Sequence, residues 1–415
     1  MLDCCLVGTR LLYRTRELGL LSCQSRGFNS FLCISMSLDS DFDKLPNELW
    51  LIIFRLATRS EDNDPRSSYK PFQGCFGLGS AEAFRTRRSL VQVCRIWRTL
   101  ASAFLYEDVR VGHDVQILRW CLGNEQEAGR WVRRLELPYS QTGPNDLSNA
   151  LHILKSCPSL QTLVRPFLQR NFDALRCDFP ADMVSLSSLT RLDWWHYDEA
   201  ARSGGINSLV HVLRNTPYLQ YLTLGGEFWA PDLPAQTLEL STLTTLRLRR
   251  VNAAFIWQVC RWLLPSLVHV IVDFPTEHEA LQQLWLTFGK QLDSVEFGRN
   301  VAFHLTDQLS LVVRCCPTSV KVLNYFIYFT MSPQFPVDEQ ASVEHIGIHA
   351  FPCAMMSDIW AHLHSHFNWL TGPSLTALKH VVLYGQWGNI TSDPRFVSFR
   401  TGLEGRGCRI QLAGE

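Results

Sequence analysis

From Leu45 the chain places apolar residues at helical spacing: Leu49, Ile52, Ile53 and Leu56 follow at i, i+3, i+4 and i+7, with Pro46 suited to a first turn. Trp50, Phe54 and Ala57 make a second apolar line on the same predicted helix. A short helix that is apolar on two sides needs two surfaces to bury against. Residues 58–82 are polar, with Asp62, Asp64, Pro65, Pro71 and several glycines, and read as a loop or insertion. Helical spacing resumes with Leu90, Val93, Cys94, Trp97, Leu100, Ala101, Phe104 and Leu105. The segment 45–110 is therefore a small helical unit with more apolar face than it covers alone. A docked partner and packing on the rest of the chain are both adequate explanations.

Beyond residue 130 the pattern changes to a repeat. Leu-x-x-Leu-x-Leu units, with Val, Ile or an aromatic substituting, begin at Val132, Leu160, Leu189, Leu219, Leu243, Leu267, Leu292, Val320, Val343 and Leu378. Most of the intervals fall in the range of roughly 20–29 residues typical of leucine-rich repeats. Between units lie helical stripes: Leu147–Leu154, Leu209–Leu213, Ile256–Leu263 and Leu305–Val313. Several end at a proline before the next unit (Pro158, Pro217, Pro265, Pro317), where a helix cannot continue. This pattern predicts an α/β solenoid of short parallel strands and helices.

Strand alternation then sorts the side chains. The repeat leucines point into the core, and the residues between them point to the open, concave side. Those positions include Arg191, Asp193, Trp195, Tyr221, Thr223, Thr245, Arg247, Arg249, His269, Ile271, Asp273, Asn324, Phe326, His345, His349, His380 and Tyr384. If the last two units pair directly, His345 meets His380 and His349 meets Tyr384. Aromatic, Arg and His side chains are favoured at protein-recognition surfaces, so Trp195, Arg247, Arg249, Phe326, His345, His349, His380 and Tyr384 are the candidate target-binding residues. Arg247, Arg249 and Arg250 form the densest basic cluster near a strand, suited to an acidic or phosphorylated target or to a solvated strand edge.

Composition narrows the function classes. At 46% hydrophobic and 19% charged, the 415 residues are those of a folded chain. Lys+Arg and Asp+Glu both number 39, which disfavours a protein that works by neutralising nucleic-acid phosphates. Apolar runs are too short for a spanning helix, so no membrane partner is expected. The 14 cysteines include no CxxC pair; Cys94, Cys157, Cys260 and Cys316 end apolar segments and read as buried reduced thiols of a cytoplasmic or nuclear protein. Phosphate-loop, GxSxG and HExxH motifs are absent from the sequence. His362, His364 and His366 lie in a predicted helix, 357–370, where residues two apart point away from each other, so no metal is expected. Neither a catalytic constellation nor a cofactor site emerges, and the chain reads as a binding protein rather than an enzyme.

The stretch LPNELWLIIFRLA at 45–57, followed by LVQVCRIWRTLASAFLYEDVRV at 90–111, resembles an F-box. Leu45-Pro46, Glu48-Leu49, Ile53-Phe54 and Val93-Cys94-x-x-Trp97-x-x-Leu100 carry the likeness, and Leu105-Tyr106-Glu107 leading into a strand is similar to the end of F-boxes in fungal leucine-rich-repeat proteins. The departure is an insertion, 58–86, between the halves of the motif. The resemblance implies a substrate receptor of a cullin–RING ubiquitin ligase, binding the Skp adaptor through the F-box and a target protein through the repeats. It assigns Leu45, Pro46, Leu49, Ile53, Phe54 and Trp97 as adaptor contacts or as the core beneath them. The other reading is a repeat scaffold whose helical unit is an N-terminal cap. The expected organisation is a disordered leader at 1–40, an F-box at 41–112 and a solenoid at 113–415. A transit peptide in the leader, or a start at Met36, are the alternatives for the first segment.

Overall fold

The computed structural model describes residues 45–58, 69–73, 80–112, 115–123, 128–139, 145–167, 179–202, 204–226, 228, 238–273, 277–299, 307–333, 341–351 and 359–413. The expected leader, 1–40, lies outside the described residues. The chain divides into two compact units. One comprises Met1–Asp64, Phe76–Leu135 and Ser148–Ser159; the other comprises Pro65–Cys75, Glu136–Leu147 and Leu160–Glu415.

Among the described residues the first unit opens with the helices α1 (Asn47–Thr58), α2 (Ser80–Val93) and α3 (Arg95–Glu107). Their core is Trp50, Phe54, Val91, Ala101 and Phe104, with Leu45, Leu90, Trp97, Leu100 and Leu105 packed against it. Helix α2 begins at Ser80, inside the stretch expected to be loop. Its first turns carry Glu82, Arg85, Arg87 and Arg88, so no apolar stripe announced it. Cys94 corrects the expectation of a buried thiol. It is exposed, because it caps α3: its sulfur accepts from the Trp97 amide at 3.4 Å. Cys157 and Cys316 are buried as expected, and burial pushes both thiols up to about 12.

The strands are β1 (Asp108–Arg110), β2 (Arg134–Glu136), β3 (Thr162–Arg165), β4 (Arg191–His196), β5 (Tyr221–Gly226), β6 (Thr245–Arg249), β7 (His269–Val272), β8 (Ser294–Phe297), β9 (Val322–Phe326), β10 (His345–Ala350), β11 (His380–Gly385) and β12 (Arg409–Leu412), and within the second unit β3 to β12 follow one another in sequence order across one sheet. Every pair from β3 to β12 is parallel. Helices Leu209–Arg214, Ala253–Val259, His278–Phe288, Gln308–Cys315 and Ile359–Leu370 fall between strands, as a parallel connection requires.

A repeated backbone device fixes the register. Before each strand from β4 to β11 one carbonyl accepts two successive amides from the next unit, among them Gln220 from Thr244 and Thr245, Thr244 from Val268 and His269, Val268 from Asp293 and Ser294, and Lys321 from Glu344 and His345. Leu192, Leu222, Leu246, Val270, Val295, Leu323, Ile346, Val381 and Ile410 therefore align in one row. Apart from Ile410, on the terminal strand, all of these are buried. Trp194, Leu224, Leu248, Val272, Phe297, Tyr325, Ile348 and Leu383 make the second buried row. Helices cover this face; Trp285 packs edge-on against Phe297, and Trp369 lies tilted against Tyr325. Strand β12, a short Arg-Ile-Gln-Leu run with no repeat signature, closes the order beyond the last predicted unit.

Candidate functional site

In the helical unit the structure separates residues that the sequence left together. Phe54 is fully buried, and Trp97 packs with ring centroids 4.8 Å from both Trp50 and Phe54. These two are core. Leu45 is half-buried against the same core, while Pro46, Leu49 and Ile53 are exposed. Of the second apolar line of α1, Trp50 and Phe54 face inward while Ala57 is exposed, and the line Leu49, Ile52, Ile53 and Leu56 faces out. Ile52 and Leu56 are 54% and 65% exposed, and Val93 and Ile96 near the α2–α3 junction are similarly bare. The rings explain the choice: the two aromatic residues of α1 carry larger apolar surfaces than its aliphatics and pack with Trp97 of α3.

The second unit holds the other candidate site on the open face of its sheet. The predicted pairs are present. His345 is opposite His380 with rings stacked at 4.9 Å, and His349 is opposite Tyr384. Trp195 packs on Phe167 at 4.6 Å, with the Arg249 guanidinium 5.9 Å from its ring.

Towards the middle of the face, the chain itself provides the neighbour. Residues Tyr69–Gln73, from within the polar insertion, lie on the outward row. Tyr69 stacks on His269 at 4.7 Å, donates its hydroxyl proton to Glu296 at 2.9 Å and accepts from the Asn324 amide at 2.6 Å. The Phe72 amide donates to the same Glu296 oxygen at 2.9 Å. The Phe72 ring sits 5.1, 5.2 and 4.8 Å from those of Phe326, His349 and Tyr384. Arg247 donates to the Gln73 carbonyl at 2.7 Å and to Asp273 at 3.0 Å. Arg191 donates to the Gln73 side-chain oxygen at 3.4 Å.

Arg247 is thus buried and engaged on two sides, which is neither a solvated strand edge nor an open cation. Phe72 and Gln73, adjacent in the chain, touch side chains from strands β11 and β4. Seven strand steps along a flat sheet would cover about 34 Å, so this face curls around the segment.

Backbone and side chains agree on how the segment is held. Gln73 N bonds back to Lys70 O at 3.3 Å, with Pro71 second and Phe72 third in the turn. Phe72 has φ +56°, at a turn position where glycine is the usual residue. A bulky residue there costs about 1 to 3 kcal/mol and persists only where its surroundings compensate. Part of the compensation is Gly347, whose missing side chain leaves the slot for the ring: a Cβ there would meet the Asn324 side chain and approach Phe72 to 3.3 Å.

Electrostatics record the closure. Burial holds the Glu296 carboxyl above its ordinary value, against the pull of Arg247. Burial, then Glu296, raises the Tyr69 phenol well above its usual range, and burial among the rings pushes the His349 imidazole down to about 4.

Arg247, Phe326, His349 and Tyr384 are therefore brought together around one segment, while the Trp195–Arg249 and His345–His380 pairs lie outside it. Sequence reasoning missed Glu296, the acid at the outward position of the unit beginning at Leu292, and it missed Tyr69, Phe72 and Gln73. The available signals were an acid between the outward positions Ile271 and Asn324, and two aromatics in an otherwise polar insertion. In the helix Ile359–Leu370, His362 and His366 donate to the carbonyls of Ile327 and Thr330, and His364 accepts from Asn368. Among the described residues, no cluster of His, Cys, Asp and Glu has a metal-binding arrangement, and no helix is long and apolar enough to cross a membrane. No protein-family model matches the chain, and no curated protein matches it.

Proposed function

We propose that this chain is the substrate-recognition subunit of a Skp–cullin–F-box ubiquitin ligase. Residues 45–107 act as the F-box that docks the Skp adaptor. The repeats from Val132 onward act as a leucine-rich-repeat-like solenoid whose open face holds a target protein. The ligase chemistry takes place on other subunits, and this chain supplies proximity.

The observation that carries the reading is the apolar line on α1. Leu49, Ile52, Ile53 and Leu56 stay exposed on a helix whose other side packs into the core of Trp50, Phe54, Val91, Ala101 and Phe104. Solvent-facing aliphatics grouped on one helix mark a protein-interaction site. They coincide with the F-box-like motif, and the open face supplies a second, separately built recognition surface.

The test is co-purification of the Skp adaptor with the full chain from cells. The double variant Leu49→Ser/Ile53→Ser is expected to weaken adaptor binding at least about 30-fold, the effect of losing roughly 2 kcal/mol at an interface anchor. Its helical signal and melting temperature should match wild type, because both residues are exposed. Leu45→Ala/Pro46→Ala should act in the same direction. Failure of the wild-type chain to retain the adaptor would leave the scaffold with a helical cap as the better reading.

A further inference from the structure

We propose that the Tyr69–Gln73 segment is an intramolecular ligand of the open face, and that the target presents a short turn-forming peptide with two aromatic residues three apart, followed by an amide side chain, which displaces it. The proposal rests on the target-holding role assigned above to that face, and it names both the class of partner and the built-in competitor.

The contacts are those of recognition. Each polar group of the segment that faces the sheet meets a complementary one: the Tyr69 hydroxyl meets Glu296 and Asn324, the Phe72 amide meets Glu296, and the Gln73 carbonyl meets Arg247. The aromatic ring fills a slot that Gly347 leaves open. A covering loop needs only to exclude water, and apolar contact would suffice for that. Here the turn instead carries Phe at the position where Gly is relaxed, so the ring is retained at the expense of backbone comfort. The face also holds charges that a polar occupant meets, beside the Arg247–Asp273 pair of the face itself. Glu296 and Arg247 both address the segment's backbone, which any peptide of the same turn geometry also presents. A segment tethered in this way has an effective concentration of about millimolar order, so even weak intrinsic affinity keeps it seated. A target must exceed that competition to enter.

The experiment uses the full chain and a synthetic peptide spanning Ser68–Gly74. In the chain carrying Tyr69→Gly, Phe72→Gly and Gln73→Ser, the peptide is expected to bind saturably, and at least tenfold more tightly than to wild type. A peptide with both aromatics changed to Ala should not bind. Adding Glu296→Ala to the emptied chain should abolish capture of the wild-type peptide. Failure of the peptide to bind an emptied chain of unchanged melting temperature overturns the proposal.

Hydrogen exchange in the wild-type chain gives an arm that does not depend on the variant folding. The Phe72 amide should exchange at least 100-fold faster than those of Val295 and Leu323, through opening of the segment alone. Equal protection would make the segment a fixed part of the fold and refute the competitor. Adaptor binding is measured on the same proteins: its absence with peptide capture intact would sink the ligase reading while leaving the groove.

Discussion

Helix α1 and the open face of the sheet break the usual rule of burial in opposite directions. The helix leaves Leu49, Ile52, Ile53 and Leu56 exposed, while the sheet face hides Arg191, Arg247, Asp273 and Glu296. The difference lies in what covers each surface. Helices α1, α2 and α3 share one core, and its aromatic residues fill it, so the aliphatic line stays exposed among the described residues. The sheet face receives the Tyr69–Gln73 segment, and its charges, once covered, hold their place through pairing: Arg247 with Asp273, and Glu296 with two donors from the segment. An exposed apolar line loses little when a residue is changed. A buried charge network loses much, because the remaining partner stays desolvated.

The largest contrast should appear within α1 itself. Phe54→Ala removes a fully buried ring wedged between Trp50 and Trp97 and is expected to cost about 3 to 5 kcal/mol. Ile52→Ser/Leu56→Ser, on the same helix, should cost no more than about 0.5 kcal/mol per site. Denaturant unfolding followed by helical signal separates them, and equal costs would reverse the assignment of inner and outer lines.

A somewhat smaller loss is expected on the sheet. Arg247→Ala strands Asp273 beside Glu296 and removes the bond to the Gln73 carbonyl, with Arg249 left 3.9 Å from Asp273 as partial replacement. About 3 kcal/mol is expected for breaking such a pair, read from the same unfolding curves. A change below about 1 kcal/mol would mean the network is solvated after all.

The smallest effect concerns pH. His349 has its folded value lowered to about 4, from about 6.5 when unfolded. Between those limits the unfolded chain binds a proton that the folded chain does not, so its contribution to stability is lost as pH falls from about 6.5 towards 4. Glu296, raised in the folded state, acts in the opposite sense and gains as pH falls through its value. In His349→Phe the first term is absent, so the variant's melting temperature should rise relative to wild type as the pH is lowered across that window. A difference independent of pH would place His349 in solvent.

The α/β class, the positions of strands β2 to β11 and most of their outward residues were legible because a repeat states its rule many times. Leu222, Leu246 and Val270 occupy one place in one register, and alternation then fixes Thr223, Arg247 and Ile271 on the other face. The pairing of His345 with His380 followed from the same arithmetic. The choice between the two apolar lines of α1 was not legible, because period alone gives both equal standing; ring size and the available core volume decided it. Nor was the occupant of the open face. Tyr69 bonds to Glu296 across 227 residues, and Asn324 to Tyr69 across 255, and a local pattern carries no term for partners so distant. By itself, then, the sequence determined which residues leave each strand on which side, since that depends only on backbone geometry. Whether those residues meet water or another part of the chain was decided by tertiary structure alone, through complementarity between a five-residue turn and a face assembled from eight strands.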